Sequence, residues 1–179
     1  EKNNNTGNFY TIRTNSDKKV IAFANTTYHY PDNNFGRVIA ANAALVLQKY
    51  QFVNDCNAST LNYTTVPTTS DPRTGFSMDS ILGNITPQQC IAYRITATNR
   101  ANIVISDFVM RDVLQKKGVN GAQVTSVLAN PPLSTTDYNA AENPAIGANG
   151  EVKTRTLTIN ARTNRVFYFN TKYGTTANP

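Results

Sequence analysis

From Gln89 to Phe108 the chain reads Q-C-I-A-Y-R-I-T-A-T-N-R-A-N-I-V-I-S-D-F. The first ten residues alternate in character, the two-residue period of an extended strand with one buried face. Ile91, Tyr93, Ile95 and Ala97 fall on one side, and Cys90, Ala92, Arg94 and Thr96 on the other. The second set is the more polar, so the first is expected to face the core. A one-residue slip would exchange the two faces. N-R-A-N then turns the chain, and I-V-I-S-D-F-V-M-R-D-V-L (103–114) continues as a strand with an irregular middle.

The same signal recurs along the sequence. F-Y-T-I-R-T (9–14) and K-V-I-A-F-A-N (19–25) flank the turn-forming N-S-D-K and predict an N-terminal hairpin. Strands are expected from about Ala43 to Val53, over 60–66 and 76–82, and over 122–128. R-T-N separates two more, 152–161 and 165–173, as a hairpin. Residues 129–149 form a long Pro/Asn/Ala loop, and loops of that length in compact domains are often functional or mobile. Thr, Val, Ile, Tyr and Phe suit a pleated, half-buried surface, whereas helix formers such as Glu (three) and Met (two) are scarce. The 179 residues therefore predict an all-β chain. Its expected parts are an N-terminal extension (1–42) and a β-sandwich domain (43–179).

The residues argue against most chemistry. His29 is the single histidine, in Y-H-Y-P with no Gly-x-Ser-x-Gly beside it, and three Glu and eight Asp offer no marked catalytic pair. No enzyme activity and no cofactor are expected. Two cysteines and one histidine do not make a zinc site. Asp107 and Asp112 are too sparse for calcium, which needs six or more oxygens. The net charge of +6 is spread along the chain, with Lys18-Lys19 and Lys116-Lys117 the adjacent basic pairs, so nucleic acid is not the expected partner. No apolar run approaches the ~20 residues that span a bilayer, and no membrane insertion is expected. The start, E-K-N-N-N-T-G-N, is not a signal peptide; it fits the end left when one is removed, or an arbitrary boundary. Cys56 and Cys90 either pair, implying an oxidising compartment, or are two separate buried thiols. The polar segments beside them, N-D-C-N and P-Q-Q-C, favour pairing.

A-Y-R-I-T-A-T-N-R-A-N, V-M-R-D-V-L and L-T-I-N-A-R-T-N-R-V-F-Y-F-N-T together resemble the conserved repeat domain of bacterial surface proteins known as domain of unknown function eleven. Tyr93, Asn99, Asp112 and Leu114 match its pattern over about 43–173, while the family's glycine and proline positions carry Ala101 and Gln115. The resemblance implies an immunoglobulin-like β-sandwich outside the cell or on its surface, exported through an oxidising periplasm. It implies a building block of a fibre, pilus or adhesin. Asn99 and Asp112 are expected to cap turns and backbone groups.

Three further sites are expected from residue patterns. Residues 9–24, with Phe9, Tyr10, Ile12, Val20, Ile21 and Phe23, could leave their own domain and add as a donor strand to a neighbour, making a homo-oligomer. Lys49 shares parity with Leu45 and Leu47, so it points inward, a costly place for an unpaired ammonium. It is the candidate for an isopeptide with Asn170, assisted by Asp107 or Asp112. Phe167, Phe169 and Tyr173, however, put Asn170 on the opposite face of its strand. Tyr28, Tyr30 and Tyr138 are loop candidates for contact with a carbohydrate or host-surface ligand, in a chain with no Trp.

Overall fold

The computed structural model describes residues 9–14, 17–22, 45–56, 61–81, 85–86 and 89–175. The chain divides into two compact units, Glu1–Ala40 and Ala41–Pro179. In the first, β1 (Phe9–Thr14) and β2 (Asp17–Ala22) pair antiparallel as the expected hairpin. Asp17 and Lys18, read from sequence as turn residues, pair with Thr14 and Arg13. Phe23 lies outside the described residues.

The second unit is built on one antiparallel sheet. Its strands are β3 (Leu45–Asn54), β4 (Cys90–Asn99), β7 (Thr125–Ala129) and β10 (Asn164–Thr175), in the order β3-β4-β10-β7. A second layer is only two strands wide. Here β5 (Ile105–Phe108) pairs with β9 (Leu157–Ile159), and β6 (Arg111–Val113) pairs with β8 (Glu151–Lys153). The interruptions at Val109–Met110 and Thr154–Thr156 are the irregular middles of two longer strands. One turn of 3-10 helix, Ala140–Glu142, lies in the 129–149 loop, capped by the Asn139 side chain.

Alternation determines the contact between the layers. Ile95 and Ala97 of β4, Phe167 and Phe169 of β10 and Leu128 of β7 meet Phe108, Met110, Leu114, Val152 and Ile159 in one apolar core. Phe108 stacks on Phe167 with ring centroids 5.8 Å apart, and Tyr93 lies 5.1 Å from Phe169. Rings held at such separations add about 0.5–1.5 kcal/mol to the area they bury.

The opposite face of the sheet is covered too, which the alternation did not predict. Ala92 and Cys90 are fully buried there. The cover is the excursion between β3 and β4. Phe76 packs on Phe52 and Tyr168, and Tyr63 stacks on Tyr168 at 5.0 Å. Strands were expected at 60–66 and 76–82. The described parts of those spans contain isolated bridges only, at Phe76 with Thr68 and at Ser77 with Gln51. The reason is local competition: Asn62 Oδ1 accepts from the Thr64 amide and Asp71 Oδ1 from the Arg73 amide, so side chains fold the backbone into turns. Gly75 allows the closest approach, since a Cβ there would lie 2.5 Å from the Pro67 carbonyl oxygen.

A disulfide closes this excursion at its base. Asn54 pairs with Cys90 at the end of the ladder. The chain then turns back through Cys56, whose φ of 64° is left-handed and whose amide is held by Asn54 Oδ1, and Cys56 bonds to Cys90. At the other end of β4, Asn99 is fully buried. Its Nδ2 donates to the carbonyls of Ile103, Ile159 and Asn160, and its Oδ1 accepts from the Ala101 amide.

Three substitutions test these contacts. The disulfide spans a sequence separation of 34 residues. Replacing both cysteines by serine should therefore lower stability in urea by about 4 kcal/mol on the chain-entropy relation. Asn99→Ala, which strands several buried groups, should cost about 1–3 kcal/mol. Asn99→Asp should cost more, because a carboxylate would face three carbonyl oxygens.

Candidate functional site

The unequal widths of the two layers leave part of the sheet's inner face open among the described residues of the second unit. Strand β3 contributes no residue to the buried core cluster, although its inner face shares a side with Ile95 and Ala97 through the pairs Lys49–Ile95 and Leu47–Ala97. The second layer stops short of it. A groove of about 390 Å³ results, whose lining includes Leu47, Lys49, Ile95, Val109, Met110 and Asp112. Leu45 and Leu47 are 40% and 57% exposed, and Val113 on the facing strand is 72% exposed. Among the described residues, Ser77 bridges the outer edge of β3 at Gln51, and no strand pairs with it between Leu45 and Tyr50.

Lys49 and Asp112 meet across the groove as an ion pair. The Lys49 ammonium lies 4.3 Å from the centroid of the Tyr93 ring, a cation–π contact. Burial, reinforced by the nearby Asp112 carboxylate, pushes the Tyr93 phenol up to about 12. Tyr63 and Tyr138 are shifted upward as well, with burial the largest cause.

The structure brings Lys49 and Asp112 together and leaves Asn170 apart. Asn170 is fully buried on the opposite face of β10, where its Oδ1 accepts from Asn54 Nδ2 at 3.1 Å and its Nδ2 donates to the Asn130 carbonyl at 2.6 Å. Asp107 is exposed on β5. Asp112 pairs with a lysine across the layers, which the turn-capping expectation did not anticipate. The sequence signal was present in the inward parity of Lys49, which needed an acidic partner.

Tyr138 is 2% exposed, in the core, with its hydroxyl donating to the Tyr168 carbonyl. That burial removes it from contact with a surface ligand. Tyr28 and Tyr30 lie outside the described residues. Phe9, Tyr10 and Ile12 lie on β1, and Val20 and Ile21 on β2. Among the described residues, no three of His, Cys, Asp and Glu converge as a metal site, and no helix is long and apolar enough to cross a membrane.

Compared with known proteins, the chain matches no family model, no curated protein and no solved structure.

The raised tyrosines give a pH dependence with a definite sign. Above the ordinary phenol value of 10.0 an unfolded chain releases protons that the folded one keeps, so stability is fully present below that pH and is lost as pH rises toward about 12. Urea midpoints measured on either side of pH 10.0 should fall with alkalinity, and Tyr93→Phe should make that fall shallower.

Proposed function

We propose that this chain is a structural module of a bacterial extracellular fibre, pilus or adhesin, an immunoglobulin-like sandwich that joins its neighbours by β-strand addition. The observation that carries the reading is the outer edge of β3. It has no strand partner between Leu45 and Tyr50 among the described residues, and it lies beside a groove with exposed Leu45 and Leu47. Soluble folds normally cover such an edge, bulge it or charge it, because unpaired amides and carbonyls are a template for another chain. The N-terminal β1–β2 ribbon of a neighbouring copy is the proposed occupant, adding backbone hydrogen bonds along the outer edge of β3. The Cys56–Cys90 disulfide fits export through an oxidising compartment.

The test is assembly. The full chain should form polymers that survive mild detergent and appear as linear particles by electron microscopy, and removal of residues 1–24 should leave monomers. A full chain that remains a monodisperse monomer at high concentration would overturn the proposal. Polymers that persist without residues 1–24 would overturn the assignment of the donor.

A further inference from the structure

We infer that Lys49 and Asp112 are a site of self-modification, at which an amide forms between Lys49 Nζ and Asp112 Cγ with loss of one water. This inference does not rest on the proposed function; it rests on how two strands aim their side chains.

Lys49 pairs with the core residue Ile95 in the sheet, and Asp112 pairs with the fully buried Val152 in the second layer. Residues directly opposite in an antiparallel pair project from the same face. Both side chains therefore leave the inner face of their own layer and point at each other, and they are in contact. Their backbones are fixed by the ten-residue β3–β4 ladder on one side and by the β6–β8 pairing on the other. The nearby Arg111–Glu151 pair, at 3.6 Å, belongs to the alternate positions of β6 and β8, so it does not compete for either partner.

The surroundings shield the pair from water on one side. The Asp112 side chain is 15% exposed, the Lys49 ammonium sits against the face of Tyr93, and Ile95, Val109 and Met110 line the same groove. A neutral amide would remove the Asp112 charge from a site where its carboxylate is largely shielded from water. Holding amine and carboxyl in contact supplies the effective concentration that free lysine and aspartate lack in water. The Lys49 side chain is 47% exposed, which places the reacting pair at an open rim where released water can leave.

The balance closes within the pair. The ammonium passes one proton to the carboxylate, and the freed amine attacks Cγ. A second proton moves from nitrogen to the departing oxygen, water leaves, and the third hydrogen remains on the amide. No oxidant, reductant or outside reactant enters. The product ties the outer strand β3 to β6 through a bond spanning 63 residues of chain.

Intact mass spectrometry of the full chain tests the bond. The expected mass, after allowing for the disulfide, is lower than the sequence mass by one water, and digestion should yield a branched peptide joining the segments that carry Lys49 and Asp112. Lys49→Arg and Asp112→Ala should each restore the missing mass. Asp112→Asn should lose ammonia in place of water and converge on the same product mass as the unsubstituted chain. A freshly purified full chain at its unmodified mass would show a salt bridge only and overturn the inference. So would a water loss that persists in Lys49→Arg, as cyclisation of the N-terminal Glu1 would produce. Peptide mapping of the unsubstituted chain detects the bond directly, so the result holds whether or not a variant folds.

Discussion

Burial of the two central strands on both faces is the constraint from which the rest of the second unit follows. On the inner face Ile95, Ala97, Phe167 and Phe169 meet the two-stranded layer; on the outer face Cys90, Ala92 and Asn170 are fully buried beneath the 61–81 cover and its neighbours. Three layers must pass within packing distance of β4, which is why its alternating run contains Ala92 and Ala97, both with no exposed surface. A larger side chain at either position would have to displace a packed layer, and interiors at native density yield little room. The disulfide sits at the base of the cover, where it holds the excursion against the outer face.

This two-sided burial also explains what could and could not be read from residues alone. The alternation of 89–98 identified the strand and its inner face correctly, because Ile95 and Ala97 belong to the core. The same alternation made the outer face look solvated, since Arg94 and Thr96 are polar. In the folded chain Arg94 lays its guanidinium 4.1 Å from the Tyr50 centroid and 5.0 Å from that of Phe76, and donates to Thr68 Oγ1 at 2.9 Å. Its flat cation serves as packing surface, which a polar/apolar pattern does not register. Tyr138 was missed for a related reason. Its neighbours in sequence are loop formers, but its bridge to Thr154 and its place in the core depend on contacts remote along the chain. The Lys49–Asp112 pair was half legible: parity aimed the lysine inward and aimed Asn170 away, while the partner's position depended on the offset between the two layers.

The abundance of asparagine has a structural use beyond turns. Asn99 ties the 99–103 turn to the 159–160 turn, and Asn149 Nδ2 reaches the carbonyls of Leu114, Gln115 and Ser126. Asn143 both donates to the Lys153 carbonyl and accepts from its amide. These side chains supply neutral amide hydrogen bonds to backbone groups in turns and at strand ends, Asn99 and Asn143 as both donor and acceptor and Asn149 as donor. A charged residue there would carry a larger desolvation cost for the same bonds. A chain with only 16% charged residues can therefore hold its long connections in place through amides.

The path of the chain through the sheet bears on the mechanical role proposed for it. Both β3 and β10 run antiparallel to β4, so they run parallel to each other on its two sides. The chain enters β3 at Leu45, opposite Asn99, and leaves β10 beyond Lys172, opposite Cys90. Tension applied through those two points is directed along the strands, so that it shears the ten β3–β4 pairs and the nine β4–β10 pairs together instead of opening them one at a time. The far end of β3 is secured near Cys90 by the disulfide, and its middle is held to the second layer at Lys49. In the proposed role, β3, whose outer edge has no strand partner between Leu45 and Tyr50 among the described residues, would be both the strand that receives the load and the strand on which an added neighbour bears. A strand with one partner in its own sheet is the weakest place to introduce force, and anchoring it at Lys49 and through the Cys56–Cys90 disulfide is what would let it transmit that force to β4.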